Sequence, residues 1–140
     1  MIINYLNQTI SQANATGIVV VDNNRKMVSL NRKFIEMWGL PSQIVSEQDE
    51  KLALEFACSQ VKNPNIFIKE IQEIYIYMEL EIYDIIKLKD GRLFKRTSQP
   101  QYLKEKIVGR IWTFREINQW SIEPELDIIK DKMFLFPSLG

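Results

Sequence analysis

The chain contains no histidine and a single cysteine, Cys58. Without histidine there is no His-centred triad, no His metal ligation, no proximal-His haem and no phospho-accepting His. A lone cysteine forms neither an internal disulfide nor a Cys-based metal cluster. The five glycines are scattered, so no glycine-rich phosphate loop is present. Neither charge sign is in excess, since Lys+Arg and Asp+Glu each number 18. That balance argues against a nucleic-acid binder driven by electrostatics. No apolar run approaches the roughly 18 residues of a membrane-spanning helix. The opening MIINYLNQTISQANATG lacks a basic segment followed by a continuous apolar one, so no signal peptide is expected. These absences predict a cytoplasmic protein without membrane contact.

What remains is ordinary globular material. With 140 residues, 46% hydrophobic and 26% charged, the chain is long and apolar enough for one domain with a core. Residues 1–15 are polar, but the spacing of Leu6 and Ile10 predicts a helix with a narrow apolar stripe. The stretch GIVVVD from Gly17 is β-branched and bounded by turn residues, which predicts a strand. Asp22-Asn23-Asn24 turns the chain, and Met27 to Leu30 returns it as a hairpin. Asn31 suits a helix N-cap, Arg32 to Trp38 a helix, and Gly39 its left-handed end. A short helical turn after Pro41, a helix from Asp49 to Val61 and a helix from Pro64 to about Tyr75 follow. Ser46 with Asp49 has the spacing of an acidic capping box for the second of these. Three strands close the pattern, over about 81–89, 93–102 and 107–117, joined by Lys89-Asp90-Gly91-Arg92 and Lys104-Glu105. Pro100 is expected at a bulge or near the end of the middle strand.

Hairpin register decides which side chains share a face. A two-residue Asp90-Gly91 loop puts Leu88 opposite Leu93 and Ile86 opposite Lys95. A three-residue loop ending in Arg92 puts Leu88 opposite Phe94, Ile86 opposite Arg96 and Asp84 opposite Ser98. The second is expected, because it gathers the larger apolar groups on one face and gives Asp84 small or basic partners. Its cost is Lys87 opposite Lys95. Two hairpins around a helical middle predict an α+β fold, a five-stranded antiparallel sheet with helices on one face.

These elements in this order resemble a PAS domain. The segments that carry the resemblance are ATGIVVVDNNRKMVSLNRKFIEMWGLP, LKDGRLFKRTSQPQ and VGRIWTFREI. It covers about Leu6 to Asn118, with the domain proper expected at 16–118, a helical cap at 1–15 and a tail with a short helix at 119–140. The resemblance is to the sensor modules of bacterial signalling histidine kinases. It implies the PAS fold, a cavity between helices and sheet, signal transmission in a two-component system, and homodimers. Such modules usually end in Asp-x-Thr, which couples the last strand to a following helix. Glu116 and Asn118 stand there, so the acid is kept on a longer arm and the hydroxyl is lost.

Candidate cavity-lining residues come from the predicted faces. The strands offer Val19, Val21, Leu30, Asp84, Ile86, Trp112 and Phe114; the helices offer Phe34, Trp38, Phe56, Phe67 and Ile71. They predict a pocket for a small apolar ligand. A filled core is the commoner outcome for such bulky residues. Asp84 needs a partner, for which Arg96 and Arg110 are candidates, and a structural ion pair is the commoner role. Arg92, Lys95, Arg96 and Lys104 form a basic stretch, expected to be a solvated strand face. Cys58 lies in FACSQ and not in the Asn-Cys-Arg-Phe-Leu-Gln type motif of flavin photosensors, so a flavin is disfavoured; haem is disfavoured without a recognisable axial ligand. No cofactor is assigned.

Leu126, Ile129 and Met133 can form the stripe of a tail helix, and Phe134, Leu135 and Phe136 need cover from the sheet or a partner. No kinase, cyclase or DNA-binding part is present, so output is expected by contact with a signalling protein, unless the chain is part of a larger sensor. The reading is thus a non-catalytic sensory or interaction domain. Two alternatives stand: a dimerisation scaffold with a filled core, and a small isomerase-like α+β enzyme with Asp84 as base.

Overall fold

Alternating valines start the sheet. In β1 (Gly17–Asp22), Val19 and Val21 are buried while the residues between them are partly open. Asp22 then turns the chain, its carboxylate accepting from the backbone N–H of Asn24 and Lys26. β2 (Met27–Leu30) returns antiparallel. A register shift between Val20 and Val21 places Met27, not Val28, in the core; Val28 is half exposed.

The computed structural model describes residues 15–118. Apart from Ala15, the helical cap at 1–15 and the tail at 119–140 lie outside the described residues, as does any dimer contact made there.

Four helices follow. α1 (Arg32–Trp38) is capped by Asn31, whose Oδ1 accepts from Phe34 N, and it ends at Gly39 with φ 61°. α2 (Ser42–Glu47) leans Ile44 and Val45 on the core. α3 (Glu50–Cys58) starts at Asp49, which caps through Lys51 N. The expected capping box is not formed, because the Ser46 hydroxyl donates to Gln43 O within its own helix. α4 (Pro64–Ile76) has Pro at its start and buries Phe67, Ile71 and Ile74.

The chain then runs through β3 (Ile82–Lys87), β4 (Leu93–Leu103) and β5 (Lys106–Ile117). The sheet order is β2-β1-β5-β4-β3, antiparallel throughout, so the first and last strands pair at its centre. Its covered face presents Val19, Val21, Phe94, Arg96, Ser98, Trp112 and Phe114. Against it lie Phe34, Met37 and Trp38 of α1, Ala53 and Ala57 of α3, and the buried stripe of α4. Trp38 is the hub, with its ring edge-on to Phe94 and Phe114 and stacked on Phe67. The expected α+β architecture is therefore observed.

The β3–β4 register differs from both expected versions. Leu88 N donates to Arg92 O at 2.9 Å and Gly91 N to Leu88 O at 3.1 Å, so the loop is Lys89-Asp90-Gly91. Gly91 has φ 96°, the left-handed residue that ends a three-residue hairpin loop. Asp90 accepts from Arg92 N and thereby fixes the turn one residue early. Asp84 consequently faces Arg96, Ile86 faces Phe94 and Lys95 faces Ile85, so the expected Lys87–Lys95 clash does not arise. The faces are those expected, because a two-residue change in the pairing sum preserves the alternation.

β3 is an edge strand, and its end is covered. Lys62 N donates to Lys87 O, and Lys89 N donates to Gln60 O. Among the described residues no helix is long and apolar enough to cross a membrane.

Candidate functional site

Between helices and sheet lies a cavity of about 50 Å³. Eight of the expected residues line it: Val19, Val21, Phe34, Trp38, Phe67, Ile71, Trp112 and Phe114. Met27, Leu40, Ala53, Leu54 and Ala57 complete the apolar wall, and Glu50 and Arg96 enter it as charged residues. Leu30 and Phe56 pack on the core from its periphery instead. Asp84 and Ile86 sit one layer away, in a groove between α4 and β3 that Arg96 also reaches.

Arg96 departs most from expectation. It is 1% exposed and not part of a solvated face. Its position on β4 opposite Asp84 allows a two-pronged pair, Nε to Oδ1 at 2.9 Å and Nη2 to Oδ2 at 2.7 Å. Nη2 also reaches Glu70 Oε2 on α4 at 2.7 Å. The guanidinium carbon lies 5.4 Å from the Phe67 ring centre and 5.8 Å from that of Trp112. Arg96 thus ties two strands to one helix. Burial pushes the Glu70 carboxyl above its ordinary pKa; Arg96 opposes the shift and Asp84 adds to it.

A second polar knot holds the other helix. Glu50, 5% exposed, accepts from Arg25 Nε at 2.9 Å and pairs with Arg25 Nη2 at 2.8 Å. The Tyr75 hydroxyl of α4 donates to its other oxygen, and Arg25 lies over the Tyr75 ring. Burial raises the pKa of Glu50 against these stabilising bonds, and burial likewise raises that of Tyr75. A third knot is Arg110, 4% exposed, which donates to Ser98 Oγ and to the carbonyls of Met78 and Leu80. It does not pair with Asp84; it secures the link from α4 to β3.

Neither Glu50 nor Glu70 was among the expected site residues. Both lie on apolar stripes, Glu50 three residues before buried Ala53 and Glu70 three after buried Phe67. A carboxylate on such a stripe is the signal that could have found them.

Cys58 is half-buried, and burial pushes its thiol pKa up, which leaves it unactivated. Glu116 is exposed opposite Phe94, and Asn118 is exposed just after β5. Among the described residues, Glu116 forms no ion pair with a nearby arginine. No group of three or more Cys, Asp or Glu side chains among the described residues is placed to hold a metal ion.

Residues 5–72 match the family described as PAS domain. No curated protein matches the chain. Among solved structures, the chain is similar to the sensor region of a sensor histidine kinase (TM-score 0.57, 8% identity, covering 74% of this chain and 39% of that one). It therefore spans well under half of that relative. It is also similar to a domain of a putative light and redox sensing histidine kinase from Haloarcula marismortui (TM-score 0.55, 11% identity, 81% and 99% covered). A third similar structure is the PAS domain of BvgS from Bordetella pertussis (TM-score 0.57, 12% identity, 93% and 97% covered). At such identities the likeness is one of fold.

Proposed function

Starting from the likeness to PAS domains, in the family match over residues 5–72 and in the fold, we propose that the chain is a non-catalytic sensory module, in which the state of the core cavity is relayed through the sheet to the terminal segments. One observation carries the reading. The cavity wall is shared by α1, α3, α4 and the central strands β1 and β5, while Arg96 on that wall bonds α4 and β3 at once. A change of occupant therefore displaces helices and β5 together, because a close-packed interior transmits a shift and does not absorb it. β5 leads directly to Glu116 and Asn118. A homodimer or a signalling-protein partner would receive the output at the termini.

Two features weigh against the alternatives. Asp84 is held by both its oxygens on Arg96, which disfavours it as the base of an isomerase-like enzyme. The cavity is small but not closed up, which favours sensing over a scaffold with a filled core. Its size also keeps haem and flavin disfavoured, since sites for such ligands occupy about 300 Å³ or more.

The test changes the cavity without any ligand. Ala53→Val places two methyl groups in it. The relay predicts altered amide exchange at 112–117 as well as on α3 and α4, in the 140-residue chain. Changes confined to the helices would refute the relay. Ala57→Val is the second variant, should the first fold poorly.

A further inference from the structure

Large apolar side chains left in water concentrate at one end of the molecule. Nine are exposed among the described residues, and six of them belong to two neighbouring segments. Ile76, Tyr77 and Leu80 lie at the end of α4 and in the link to β3; Tyr102, Leu103 and Val108 lie in the β4–β5 hairpin. Arg110 holds the two segments together. It stands opposite Pro100 on β4 and donates to the carbonyls of Met78 and Leu80. Tyr102 and Glu81 are both near enough to act electrostatically on it. Single exposed apolar residues are ordinary, whereas a contiguous cluster marks an interaction surface.

Sheet geometry explains the exposure. β4 and β5 outrun their neighbours, because β3 pairs with β4 only as far as Ser98 and β1 pairs with β5 only as far as Gly109. Along β4, Phe94, Arg96, Ser98 and Pro100 are buried at every second position. Tyr102, the next in that series, is 57% exposed, so the helical cover ends before it. This end of the sheet is remote from Gly17 and Ile117, where the described chain enters and leaves the sheet.

Charge selects the occupant. The link carries Glu79 and Glu81, the hairpin carries Lys104 and Lys106 around Glu105, and all five are exposed. None of them forms an ion pair among the described residues. The patch is thus acidic on one half and basic on the other. The acidic half disfavours an anionic bilayer. A copy turned through a half-circle sets each basic hairpin on the other's acidic link and covers both apolar halves, the self-complementarity that a two-fold interface requires.

We propose that this surface, the α4–β3 link together with the β4–β5 hairpin, docks a second copy of the chain about a two-fold axis, with Lys104 and Lys106 of each copy facing Glu79 and Glu81 of the other. The interface lies away from the termini, where the sensing reading places the output, and does not rest on that reading.

Sedimentation velocity of the 140-residue chain tests it. A monomer–dimer equilibrium is expected, with a dissociation constant below about 1 mM and weakened by salt. Lys104→Glu with Lys106→Glu, or Glu79→Lys with Glu81→Lys, is expected to leave monomers, because like charges then meet. An equimolar mixture of the two charge-reversed chains should restore the dimer as a heterodimer, and all four changes in one chain should restore the homodimer. Every substituted position is exposed, and circular dichroism verifies that each variant is folded. A chain that stays monomeric at about 1 mM overturns the proposal, whether residues 119–140 cover the patch or another partner takes it. A dimer that survives both reversals overturns it as well, since its interface then lies elsewhere. So do reversed chains that become monomers but fail to recombine, because the paired halves would not be those named.

Discussion

Arg96 shows how one side chain can carry a structural role out of proportion to its chemistry. Removing it as Arg96→Met leaves Asp84 and Glu70 without their cation. Breaking a fully buried pair costs about 3–5 kcal/mol. Here both carboxylates keep partial contact with water, with side-chain exposures of 30% and 37%. We expect about 2–3 kcal/mol from urea unfolding, discounted for that screening. Adding Asp84→Asn to Arg96→Met should recover part of the loss, because one unpaired charge is then gone. A single variant as stable as the original would show that the clamp does not hold the sheet to α4.

Glu50 makes a different prediction. Burial raises its pKa above 4.5. Between 4.5 and the folded value, the folded chain keeps a proton that the unfolded chain has released. The stability contribution of Glu50 therefore falls as pH rises through that window and recovers on acidification. Glu70 shifts in the same direction. Glu50→Gln removes the titration of one group, so the stability of the original chain relative to this variant should increase from pH 7 to pH 4.5. Urea unfolding at both pH values measures it, and a constant or shrinking difference would contradict the raised pKa.

At the scale of the element, two glycines make opposite demands. Gly91 sits in the β3–β4 loop at φ 96°, with open space where a Cβ would go. Gly91→Ala meets only backbone strain, about 1–2 kcal/mol. Gly109 is extended in β5, yet a Cβ there would lie 2.3 Å from the carbonyl oxygen of Val21 on β1. Backbone cannot move aside as a flexible side chain can, so Gly109→Ala must prise β1 from β5 at the centre of the sheet. We expect the Gly109 variant to lose more stability than the Gly91 variant, by thermal or urea unfolding. The reverse order would mean that β1 and β5 separate easily. The β3–β4 hairpin also shows why its register departs from the pattern of its side chains. Side-chain patterning selects a face, but the starting point of the loop depended on where Asp90 and Gly91 could place their turn bonds.

For the whole molecule, what matters is that the termini of the fold meet. β1 and β5 pair along Gly17–Asp22, so the described chain enters and leaves the fold on two neighbouring central strands that also form part of the cavity wall. The relay test with Ala53→Val belongs here. Because the added methyls enter existing space, overall stability should change by less than the about 1–3 kcal/mol of overpacking a closed core. Exchange at 112–117 should nevertheless change. A large loss of stability with unchanged exchange at β5 would point to a rigid scaffold.

The sequence by itself determined the element order, the capping of α1 by Asn31 and Gly39, the PAS resemblance and five of the buried aromatics, Phe34, Trp38, Phe67, Trp112 and Phe114, though not Phe94. These follow from local signals, namely alternation, helical spacing and turn chemistry, which act over a few residues. Only the tertiary structure decided that Arg96 is buried with Asp84 and Glu70, that Glu50 meets Arg25 and Tyr75, and that Gly109 leaves room for the Val21 carbonyl. Each of these joins residues from separate elements. Whether such a charge is solvated or buried depends on which element folds over it, and local patterning carries no record of that.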